Sequence, residues 1–170
     1  MAGAKKANVS LDQAVSEYLQ GDKLKNFLEL NDFLKSNQLS VTKPAKILKN
    51  SWAIKYKGKK IAAFKIWQKD GWFFSIVTYK QFIETEAFEK YITAKQRKYL
   101  LSNIRTTLFC PGCKGRKNVE FLGKVFDTVC GCWPHYQWNP DGEALEYAKQ
   151  FILINKSIVS DIAMAEKTNK

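Results

Sequence analysis

The sequence predicts an α+β fold: an antiparallel meander sheet flanked by helices, with a four-cysteine zinc knuckle forming a lobe at about 106–138. Three observations carry this expectation. Strand-like segments at 51–57, 60–68 and 72–78 are separated by two-residue turn signals, Gly58–Lys59 and Asp70–Gly71. Helical periodicity precedes and follows them. All four cysteines fall between Phe109 and Trp133.

In order along the chain, residues 1–9 read as a flexible tail, and 10–170 as a single α+β domain. Ser10 and Gln13 form a capping-box pattern that opens a helix with Leu11, Ala14, Val15, Tyr18 and Leu19 on one side, ended by Gly21. A second helix follows to about Ser36, with Leu24, Phe27, Leu28, Leu30, Phe33 and Leu34 as its apolar stripe. In the meander, the expected turns assign Trp52, Ile54, Tyr56, Ile61, Ala63, Trp67, Trp72, Phe74 and Ile76 to a core face, with Lys65 as its one charge. The opposite face then collects Lys55, Lys57 and Lys60 at one corner and Phe64, Ile66, Phe73 and Val77 beyond them. Residues 79–91 are helical or turn-rich. Thr93 and Gln96 make a second capping box for a helix to about Ile104. Between the cysteine pairs, residues 118–129 read as a hairpin turning near Gly123. Asn139–Pro140 starts the last helix, with Pro at the tolerated first position and Asp141 and Glu143 near the positive dipole end.

Composition bounds the function. With 45% apolar residues, the chain can build a core without leaning wholly on a metal. The net charge of +12 points to an anionic partner, nucleic acid or an acidic surface. Nine lysines and no acid lie between residues 41 and 69, and they supply most of that excess. No stretch approaches the roughly twenty apolar residues of a membrane span, and Met1–Asn8 has no apolar segment of a signal peptide. The expectation is a cytoplasmic protein with reduced thiols and no membrane partner.

Cys110 and Cys113 form a C-x-x-C pair, and Cys130 and Cys132 a C-x-C pair, separated by residues 114–129. Two short pairs converging on one point deliver four thiolates to a tetrahedral zinc ion. Pro111–Gly112 suits the turn beneath the metal. A redox pair at Cys110/Cys113 is the competing reading, but such pairs open a helix, and the residues after Cys113 start one poorly. Disulfides, an iron–sulfur cluster and free thiols also stay open. His135 is a candidate substitute ligand or a group that hydrogen-bonds a thiolate; its bland alternative is a packed imidazole. With one histidine in the chain, no catalytic triad is visible, so the reading is a binding protein rather than an enzyme.

The surface expected to take an anionic partner comprises Lys55, Lys57, Lys60, Phe64 and Phe73 on the sheet and Lys114, Arg116 and Lys117 beside the knuckle. Lysines neutralise phosphates and exposed rings stack on bases. The opposing view is that Phe64 and Phe73 simply pack. A small-ligand pocket lined by Trp52, Trp67, Trp72 and Phe74 is a further alternative.

The C-x-x-C pair, the run F-L-G-K-V-F-D-T-V-C (121–130) and the run N-P-D-G-E-A-L-E (139–146) resemble small cysteine-containing bacterial proteins of unknown function. The resemblance covers the last third of the chain. It implies that the cysteines and the Asn-Pro-Asp helix start form one unit, and it implies no activity.

Overall fold

A computed structural model describes residues 11–43, 50–67, 71–76, 86–106, 115–130 and 135–168. Helix α1 (Leu11–Ser16) is shorter than expected. Its end tightens into a turn in which the Tyr18 and Leu19 amides both donate to the Val15 carbonyl. Gly21, expected as a stop, instead opens α2 (Gly21–Ser36) with φ +56°. Ser10 lies outside the described residues.

The expected meander is present, enlarged by a short strand at each edge. Strands β1 (Ser40–Thr42), β2 (Ser51–Tyr56), β3 (Lys59–Trp67) and β4 (Gly71–Ile76) are joined by β7 (Gln137–Trp138) in the order β1-β2-β3-β4-β7, all antiparallel. A single turn, α3 (Glu86–Glu89), and helix α4 (Ala94–Ser102) follow the meander. The Thr93 capping box forms as expected, each partner satisfying the other's backbone amide. The hairpin β5 (Arg116–Phe121) and β6 (Lys124–Val129) turns at Leu122–Gly123, both at positive φ.

The sorting of the two sheet faces is corrected. The β2–β3 turn is Lys57–Gly58, both at positive φ as a type I′ turn requires, not Gly58–Lys59. Ile61 is an extra residue at a bulge, because Ile54 pairs with Ala62 while Lys55 pairs with Lys60. Three residues, not two, separate the paired Trp67 and Gly71. Moving the first turn by one residue shifts the pairing by two and keeps the faces, whereas the extra residue at Ile61 and the third residue before Gly71 each exchange them. Phe64 and Ile66 therefore join Trp52, Ile54, Trp72, Phe74 and Ile76 on the core face, while Ala63, Lys65 and Trp67 join Phe73 on the other.

The core lies between the first of these faces and helices α2 and α5 (Gly142–Thr168). Phe27 of α2 meets Phe64 and Trp72 edge-on at 5.0 and 5.2 Å, and Trp52 stacks on Phe64 at 5.3 Å. The aromatic contacts are worth about 0.5–1.5 kcal/mol each beyond area burial. At the bulge, buried Asn155 of α5 donates to the Ile61 carbonyl at 2.8 Å.

Helix α5 begins at Gly142 rather than at Asn139–Pro140. Asn139 instead ties two strands together. Its side chain accepts from the Trp72 amide and its own amide donates to the Trp72 carbonyl, both at 2.8 Å. This clip holds the end of β7 against the start of β4, and a Cβ on Gly71 would collide with the Asn139 side chain.

Candidate functional site

Of the four predicted metal ligands, Cys130 is described; Cys110, Cys113 and Cys132, together with Lys114, lie outside the described residues. Cys130 directly follows β6, is fully buried, and packs with Ala63, Phe73 and Tyr136. Its amide donates to the Arg105 carbonyl at 2.9 Å. Arg116, on the far side of the Cys110–Cys113 segment, pairs with Val129. Both residues that flank the first cysteine pair are thus held against the end of β6 that carries the second. Among the described residues, no three His, Cys, Asp or Glu side chains gather as a metal group.

His135 forms an isolated bridge with Ile104, and its carbonyl accepts from the Ser75 hydroxyl. Its ring is 1% exposed, lies 6.3 Å from the Phe151 ring, and has neither nitrogen hydrogen-bonded among the described residues. Burial lowers its pKa from 6.5 to about 4, so the imidazole is neutral. Strand alternation separates it from Tyr136, which lies with Cys130 and Phe73. The packed-imidazole reading accounts for the position of the ring.

Around the β2–β3 turn the lysines do collect. Lys57 and Lys59 are exposed, while Lys55 and Lys60 are half-buried and directly opposite across the two strands. Burial lowers the pKa of Lys60. Lys57 and Lys156 both lie over the Tyr56 ring, at 5.3 and 5.2 Å. Lys55, Lys57 and Lys59 meet no carboxylate among the described residues; the ion pairs there involve Lys35, Lys95, Arg97 and Lys149. Arg116 and Lys117 are exposed at the start of β5.

The two rings expected to stack on a partner are not available. Phe64 is wholly buried in the core, and Phe73 is wholly buried on the opposite side under Cys130, Tyr136 and Trp138. The expected pocket is also divided by the sheet: Trp52, Trp72 and Phe74 fill the core, whereas Trp67 projects from the other face.

Sequence reasoning passed over the polar cluster at the helix side of β7. Tyr99 stacks on Tyr147 at 3.8 Å and accepts from the Gln137 side chain. Burial first, then the Glu143 carboxylate and Tyr147, raises its pKa to about 12. Nothing local in the sequence links Tyr99 to Gln137, 38 positions away. No helix among the described residues is long and apolar enough to cross a membrane.

Neither a protein-family model, nor a curated protein, nor a solved structure matches this chain.

Proposed function

We propose that this protein binds nucleic acid through its lysine-rich sheet corner, and that a four-cysteine zinc knuckle anchors the β5–β6 lobe beside that sheet. The observation that carries the binding reading is the lysine group at the β2–β3 turn. Four lysines lie within one hairpin end, with Lys156 close by, and three of the four meet no described carboxylate. Like charges placed opposite one another across strands are destabilising, so a cross-strand Lys55–Lys60 pair favours a bound anion. Phosphates of a nucleic acid would relieve that repulsion while releasing counterions.

Support for the zinc reading comes from chain reach. Successive Cα atoms are about 3.8 Å apart, Cys113 precedes Arg116 by three residues, and Cys132 follows Cys130 by two. Since Arg116 and Cys130 are held at the same end of β6, the tethers between the pairs are short. Cys110, Cys113, Cys130 and Cys132 would hold the ion as thiolates, which gives the lobe a cross-link.

Elemental analysis of purified protein should give one zinc per chain, and Cys110→Ser with Cys130→Ser should lose it. A metal-free chain, or an equally stable double variant, discards the zinc reading. Nucleic-acid affinity should fall steeply with salt. Neutralising Lys55, Lys57 and Lys60 to Gln should reduce the slope of log K against log salt by about 0.7–0.9 for each phosphate no longer neutralised. An unchanged slope removes the lysine corner from the interface.

A further inference from the structure

We infer that Trp67 and Trp138, the exposed rings on the sheet face turned away from the helices, form a stacking platform for unpaired bases of a single-stranded nucleic acid. This rests on the nucleic-acid reading above and assigns it a strand state and a second set of residues.

Four observations support the platform. Trp67 and Trp138 are each 41% exposed, although a large indole usually gains by burial. They project from the same face, because Lys65 and Trp138 both pair with Phe73, and Trp67 lies two residues from Lys65. Two rings lie near the plane of Trp138, Tyr136 at 6.4 Å and 21° and Phe73 at 6.4 Å and 26°, while Phe73 and Tyr136 are tilted 43° to each other. Cations lie over one face of two of the rings, Lys65 4.4 Å from the Trp67 centroid and Arg105 4.4 Å from that of Tyr136, which leaves the opposite face of Trp67 for a base.

This combination selects its ligand. An aliphatic or acidic protein surface could use the indoles or the cations, but a nucleic acid uses both together: bases have π faces and the backbone between them is anionic. A duplex keeps its bases stacked within the helix and offers only phosphates to such a face. Unpaired bases can lie on Trp67 and Trp138 while Lys65 and Arg105 meet the intervening phosphates. Because stacking is blind to base identity, little sequence preference is expected beyond stacking strength.

The test uses the full chain and three probes at matched salt: an oligothymidylate of about twelve nucleotides, within single-strand site sizes, a blunt duplex, and heparin, a polyanion without bases. The oligothymidylate should bind tighter than the duplex. Trp67→Ala and Trp138→Ala should each weaken it by about tenfold and leave heparin binding unchanged, while Trp138→Phe retains most affinity. Lys55→Gln with Lys57→Gln should weaken all three probes. In the unaltered protein, the indole N–H resonances of Trp67 and Trp138 should shift on adding oligothymidylate, and those of buried Trp52 and Trp72 should not; this readout survives a variant that fails to fold. Heparin binding without a single-strand preference, or unmoved Trp67 and Trp138 resonances, overturns the platform and leaves the lysine corner standing. Failure of all three probes to bind overturns both.

Discussion

His135 carries the largest single-residue pH effect among the described groups. Its ordinary pKa of 6.5 falls to about 4 through burial, so the unfolded chain takes up a proton before the folded one does. The stability associated with the neutral ring is present above pH 6.5 and is lost as pH falls toward 4, a loss of at most about 3 kcal/mol. Denaturant midpoints measured between pH 7 and 4 should fall accordingly, and His135→Leu should remove that part of the slope whatever it does to absolute stability. Asn139 is the second informative residue. It sits at φ +43° and both its side chain and its amide bond to Trp72. Asn139→Ala loses a hydrogen bond and places an alanine in the left-handed region, for about 1–3 kcal/mol. Asn139→Gly should cost less than Asn139→Ala, because the backbone strain is relieved; equal losses would show that φ contributes nothing.

At the scale of elements, the β3 bulge and the α4 cap are separable devices. The bulge leaves the Ile61 carbonyl outside the β2–β3 ladder, and Asn155 of α5 supplies its donor. Asn155→Leu preserves approximate size and strands that carbonyl, so chemical denaturation should show a loss of about 1–3 kcal/mol. Thr93 accepts from the Gln96 amide while the Gln96 side chain accepts from the Thr93 amide. Thr93→Ala should cost about 1 kcal/mol, and amide exchange should quicken first in the opening turn of α4. The cap was legible from Thr93 and Gln96 alone because it is satisfied within four residues. The bulge was not, because the group that satisfies it stands 94 positions away. The same distinction explains the sheet faces. Alternation identified β2, β3 and β4, but alternation reads the same in either register, and the one extra residue at the bulge exchanged Phe64 with Ala63.

On the whole-molecule scale, β7 and the bridge between Ile104 and His135 connect the meander to the β5–β6 hairpin, with Cys130 bonded to the neighbouring Arg105. Arg97 adds a further tie, donating to the Leu122 carbonyl at 2.7 Å. If zinc cross-links this lobe, chelation should release the hairpin before the meander, since among the described residues the core between β2–β4 and helices α2 and α5 contains no cysteine. Hydrogen exchange with and without chelator should show protection lost first in β5 and β6. Simultaneous loss throughout β2–β4 would mean that the molecule unfolds as one unit instead.

The cationic balance, the cysteine spacing, the two hairpins and the Thr93 cap are properties of short stretches, so the amino-acid order determined them alone. Which rings face solvent was decided by tertiary structure. Phe73 alternates like an outward residue but is covered by Tyr136 and Trp138, which arrive from more than sixty positions later. Trp67, read as core, projects from the opposite face because the bulge at Ile61 shifts the rest of β3 by one residue against β2, and the three-residue connection to Gly71 shifts β4 back into line. A sheet has period two, so local pattern can pair residues into faces, but only the partners packed on each face determine which one is buried.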